Sequence, residues 1–159
     1  MKLKYLLSGF LVLLPFLFSS CEEDYTPTFL NQNIVDELPY CNTLLEDSSL
    51  ISNDEIRSMV CNSDEEVKRN FSPKFLSVYP EYERVDFNRY SVLVITSIIQ
   101  GKVMDRSVRY YKSSSAPHYY CAYTYEVDTS DQQFYKERTA VVVEKLKADE
   151  TVEIQYSVS

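Results

Sequence analysis

Two segments constrain this chain more than any other. RYSVLVITSIIQ (residues 89–100) and TAVVVEKL (139–146) are apolar and β-branched through most of their length. β-Branched side chains favour extended backbone. A run that is apolar on both alternating faces is a strand covered on both sides. The fold must therefore place two central strands between covering layers. HYYCAYTYEV (118–127) alternates, with Tyr119, Cys121, Tyr123, Tyr125 and Val127 on one face. TVEIQYSV (151–158) alternates most cleanly and sets Val152, Ile154, Tyr156 and Val158 toward the core. VMDRSVRYY (103–111) alternates loosely, and EIRSMVC (55–61) reads as a further strand.

SDEEVKRNF (63–71) reads as a short helix. Ser63 caps it and Glu66, three residues later, completes a capping box. Asp64 and Glu65 suit the positive end, Lys68 and Arg69 the negative end. Val67 and Phe71, four apart, form one narrow docking face. NIVDELPYCNTLLEDSSLISND (33–54) has no clean period and reads as loop, and 72–87 reads as a proline-punctuated connection. KADE (147–150) reads as a hairpin loop. The expected fold is mainly β (α+β), an antiparallel β-sandwich or rolled sheet of five to six strands with one short helix.

The first twenty residues have the three-part pattern of a secretory signal: Lys2 and Lys4, an apolar stretch from Tyr5 to Phe18, then Ser19 and Ser20 before Cys21. The apolar stretch is shorter than the roughly 20 residues of a membrane span, and Pro15 interrupts it. This gives residues 1–20 as signal peptide, 21–33 as a cysteine-led polar tether, and 34–159 as a single β-rich domain. All 24 acidic residues but only 14 of the 16 basic ones lie beyond Cys21, leaving about −10 on that part. Such a balance disfavours nucleic acid, so no nucleic-acid partner is expected, and it disfavours docking of the domain itself on anionic lipid.

The exclusions bear hardest on function. Beyond the signal there is one histidine, His118, and one glycine, Gly101, and no two cysteines have CxxC spacing. Multi-histidine metal sites, zinc knuckles and phosphate-cradling loops therefore lack their residues, and no metal or cofactor is implied. There is no GxSxG elbow. The absence of tryptophan weakens a carbohydrate-stacking platform. Ser113, Ser114 and Ser115 lie near His118, the residue types of a nucleophile and base, but a polar loop accounts for them. Glu81, Glu83 and Asp86 read as a solvated loop. No catalytic residue is assigned.

Export to an oxidising compartment predicts one disulfide among Cys41, Cys61 and Cys121. Cys41–Cys61, closing a short loop, is the expected pair, and Cys121 is expected as a buried free thiol. Seven tyrosines fall between Tyr110 and Tyr135. Tyrosine serves binding surfaces as well as strands. Tyr110, Tyr111 and Tyr120 are the expected exposed patch, with Tyr119, Tyr123 and Tyr125 turned to the core.

The stretch LFSSC (17–21) resembles the lipobox of bacterial lipoproteins, with Phe18 where leucine is usual. The resemblance implies lipid on Cys21, and more than one acyl chain gives stable anchoring. CEED (21–24) resembles the acidic patch of surface-exported lipoproteins of Bacteroides-type bacteria. VDFNRYSVLVI (85–95), TAVVVEKLKADETVEIQYSV (139–158) and the Ser63–Glu66 helix start resemble small lipoproteins of that type, some of them akin to PrcB-like domains. The resemblance implies outer-membrane attachment, facing the periplasm or the surface, and transfers no catalytic residue. The expected function is a lipid-anchored lipoprotein with a non-catalytic binding or envelope-structural β domain. Its expected partners are the membrane, through Cys21, and an envelope or secreted protein. A protease-associated or inhibitor-like domain is one alternative, and a Ser/His hydrolase the second.

Overall fold

A computed structural model describes residues 29–114 and 117–159. The signal segment and Cys21 lie outside the described residues. Eight strands are described: β1 (Phe29–Asn31), β2 (Ile34–Leu44), β3 (Ser58–Cys61), β4 (Tyr90–Gln100), β5 (Val103–Ser113), β6 (His118–Val127), β7 (Phe134–Glu144) and β8 (Thr151–Val158). They form two four-stranded sheets, ordered β1-β5-β6-β8 and β2-β7-β4-β3. The α-helices are α1 (Asp64–Asn70) and α2 (Pro73–Val78), which lie between β3 and β4 in the chain, with single 3-10 turns at Asn53–Glu55 and Pro80–Glu83. This is the expected class, a sandwich of sheets with helical cover, with more strands than the pattern announced.

The two β-branched segments are the two central strands of one sheet, β4 and β7. Their alternation serves two cores. Leu93, Ile95, Ile99, Val141 and Val143 face the other sheet. Val92, Val94, Ala140 and Val142 face Val67, Phe71, Phe75 and Tyr82 of the helical layer. Each fully buried valine, leucine, isoleucine or phenylalanine among them contributes about 1.5–3 kcal/mol. Phe71, Phe75 and Tyr82 pack as one aromatic cluster with centroids 5.1–5.3 Å apart.

α1 begins where the sequence placed it. Ser63 Oγ accepts from the Glu66 N–H at 3.2 Å, but Glu66 reaches back to the Asn62 N–H rather than to that of Ser63. The second helix corrects the reading of 72–87 as a connection. Pro73 occupies its first turn, where its missing N–H costs nothing, and Ser72 Oγ accepts from the Phe75 N–H.

Other expectations are also corrected. Residues 34–44 are not loop but an eleven-residue strand, whose register against β7 shifts twice; the shifts erase the period that would have marked it. Strand β1 lies inside the segment expected as tether. β7 starts at Phe134, earlier than the apolar run, and takes in three buried charges. Arg138 donates to Thr96 Oγ1 at 3.0 Å, bonds Glu55, and lies over the rings of Phe71 and Phe75. Lys136 donates to the Ile51 carbonyl at 2.8 Å and to Ser48 Oγ. Glu137 accepts from Arg106 at 2.6 Å and from Asn42 at 2.7 Å.

KADE is a turn, with Glu150 N–H donating to the Lys147 carbonyl, but not a hairpin. The chain crosses there to the other sheet, and β8 runs parallel to β6. β8 is the edge strand of its sheet, and Tyr156 and Val158 on it are exposed rather than in the core. The β4–β5 turn also crosses between sheets. It needs Gly101, whose φ is +91° and whose Cβ position would fall 2.6 Å from the Asp128 carbonyl oxygen.

Candidate functional site

The β5–β6 hairpin sets tyrosines opposite one another: Tyr110 faces Cys121, Tyr111 faces Tyr120, and Lys112 faces Tyr119. A register shift between Val103 and Asp105 changes which β5 residues point inward. Tyr110 therefore lies in the inter-sheet core, its ring stacked on Tyr119 at 5.3 Å. This corrects its place in an exposed patch: it is 5% exposed. Tyr111 and Tyr120 are half-buried and stack on each other at 5.4 Å. Tyr123 and Tyr125 are buried, with hydroxyls donating to the Leu93 carbonyl and to Thr139 Oγ1.

Where the sandwich opens beside Tyr110 there is a polar cleft of about 250 Å³, lined among others by Lys112, Tyr119, Glu144, Lys147 and Glu150. Three of its side chains are locked together. Lys112 Nζ donates to the Tyr119 hydroxyl at 3.0 Å and to Glu150 Oε1 at 3.3 Å. The Tyr119 hydroxyl donates to the same oxygen at 2.9 Å, and the Lys147 N–H donates to Glu150 Oε2 at 2.9 Å. Burial pushes the Glu150 carboxyl up. The hydrogen bonds from Lys147, Tyr119 and Lys112 outweigh it and hold the group below its usual range. The bonds to Tyr119 and Glu150 raise Lys112, so both ends of the pair stay charged. Burial raises the Tyr110 hydroxyl, which therefore stays protonated at the back of the cleft.

This arrangement offers fixed donors and acceptors, with charges neutralised in place. A general base would need a carboxylate poised near neutrality, and Glu150 is shifted the other way. Lys112 was within reach of the sequence, opposite Tyr119 in a hairpin. Glu150 was not, because its place depends on the crossing that sets β8 beside β6.

The remaining sequence candidates separate. His118 is exposed, and its ring Nδ1 meets the hydroxyl of Thr151, its register partner on β8. Ser113 is buried, Ser114 exposed, and Ser115 lies outside the described residues. Glu81, Glu83 and Asp86 are exposed. Among the described residues no cluster of His, Cys, Asp or Glu is placed to hold a metal ion. The expected Cys41–Cys61 disulfide is corrected, since both are free buried thiols. They sit on the two opposite edges of the β2-β7-β4-β3 sheet. Three strand spacings, about 14 Å, separate such positions, and a disulfide needs Cα atoms within about 7 Å. Burial pushes the Cys61 thiol up to about 12. Cys121 is a free thiol in the inter-sheet core, where burial likewise raises it to about 12.

No protein-family model, curated protein or solved structure matches the chain.

Proposed function

We propose that this chain is a lipid-anchored lipoprotein of the outer membrane or cell surface, and that its β domain binds rather than catalyses. The anchor half of the reading is supported by the signal pattern ending at Ser19, Ser20 and Cys21, followed by three acids. The binding half is carried by one observation, the Lys112–Tyr119–Glu150 constellation in the polar cleft. It holds its charges as a fixed, mutually bonded set, which suits recognition of a small polar group on a partner more than proton transfer.

Two experiments test the two halves separately. Cys21→Ala is expected to move the protein from the membrane pellet to the soluble fraction; unchanged sedimentation with membranes contradicts the anchor. For the cleft, the full chain is used to capture a partner from solubilised envelope. Lys112→Met is expected to abolish that capture while leaving the circular dichroism spectrum unchanged. Equal capture by wild type and variant contradicts a role for the cleft.

A further inference from the structure

An edge strand is a template for another strand unless something blunts it. Three of the four sheet edges among the described residues are blunted. β1 has three residues and β3 four. β2 contains Pro39, carries Asp36 and Glu37, and shifts register twice. β8 has none of these protections. It is eight residues in unbroken register with β6, with no proline or lysine and a single charge at Glu153.

Its free side can be assigned. The Thr151 N–H donates to the Pro117 carbonyl, the Ser159 N–H to the Tyr125 carbonyl, and the Ser159 carbonyl accepts from the Val127 N–H. Odd-numbered residues therefore turn their backbone groups to β6. Because successive residues alternate, Val152, Ile154, Tyr156 and Val158 turn theirs outward. Among the described residues no strand pairs with that side. The side chains of the same four residues point to the core face of the sheet, where Tyr156 and Val158 are each left 46% exposed.

We propose that β8 pairs antiparallel with β8 of a second copy of this chain, about a two-fold axis through Gln155. In this register Val152 stands opposite the partner's Val158, and Ile154 opposite the partner's Tyr156. All four present outward backbone groups, so each pair exchanges both hydrogen bonds. Apolar side chains meet on the core face and cover Tyr156 and Val158. Glu153 stands opposite Ser157, so the strand's one charge meets no like charge. A one-residue slip sets outward groups against inward ones and turns the apolar face to water. This self-complementarity is what selects a second copy over a foreign strand.

Gln155→Cys in the full chain tests the register. Residues opposite one another in a non-hydrogen-bonded pair lie about 4.5 Å apart at Cα, within disulfide reach. Mild oxidation is expected to convert most of this variant to a covalent dimer on a non-reducing gel. Glu153→Cys and the wild type, whose thiols on the sheets are buried, are expected to run as monomer. Tyr156→Pro removes an outward N–H and spares the bonds to β6. It is expected to halve the sedimentation mass with an unchanged circular dichroism spectrum. Failure of Gln155→Cys to cross-link overturns the proposal, as does equal cross-linking by Glu153→Cys. A wild-type mass that stays monomeric at every concentration overturns it too, even if β8 then captures a different protein.

Discussion

Arg138 is fully buried, and three kinds of contact hold it: Glu55, Thr96 Oγ1 and the faces of Phe71 and Phe75. The aromatic faces attract the cation while the carboxylate neutralises it. Arg138→Met leaves Glu55 buried without its counter-charge, and breaking a buried pair on one side costs about 3–5 kcal/mol. Adding Glu55→Gln is expected to recover a large part of that loss in urea denaturation. Equal losses in the single and double variants contradict the pairing. Gly101 is the second sensitive position. A Cβ there meets the Asp128 carbonyl oxygen at a positive φ, so Gly101→Ala is expected to cost more than the ~1 kcal/mol scale of ordinary glycine substitutions, read as a lowered urea midpoint.

At the scale of elements, the hydrogen bond that starts α2 is testable in isolation. Ser72→Ala removes the acceptor for the Phe75 N–H and is expected to cost about 1 kcal/mol, read from the same denaturation curve. The tie between β5, β6 and the loop before β8 gives a pH dependence. The folded pKa of Glu150 lies below its ordinary value, which is about 4.3. Its contribution is therefore present above that value and lost as pH falls through the lower folded pKa. Melting temperature is expected to fall as pH drops below the ordinary carboxylate range, and Glu150→Gln is expected to flatten that part of the curve. An unchanged slope in the variant contradicts the tie.

The same elements show what was legible in the sequence. β4 and the apolar end of β7 were readable as continuous β-branched runs covered on both faces, and β6 because its side chains alternate with the pleat. α1 was readable because its cap and charges lie next to one another in the chain. β2 was hidden by its two register shifts, and α2 because Pro73 marks a helix start and a chain break equally well. Lys136, Glu137 and Arg138 concealed the start of β7, since their buried partners are distant in sequence. The cleft was not read from the sequence: Tyr119 was expected in the core, the β5–β6 register brings Lys112 opposite it, and Glu150 reaches them only through the crossing between sheets.

For the whole molecule, the thiols report on whether both cores are closed. Cys41 and Cys61 lie in the core under the helices and Cys121 in the core between the sheets. All three are raised by burial, and a raised thiol reacts slowly. A thiol reagent is expected to label them only after denaturant is added, and one fast-reacting native thiol among them contradicts the packing of its core.

The position of β7 has a consequence for the order of events during synthesis. β7 lies between β2 and β4, pairing residues 34–44 with 134–144. Until that late segment has been made, β2 has no neighbour in its sheet and the central strand β4 lacks one side. Such pairing between distant segments is slow to form. A nascent chain of this design cannot close its cores before most of it has left the ribosome, so it remains threadable through a narrow channel until its final third is complete.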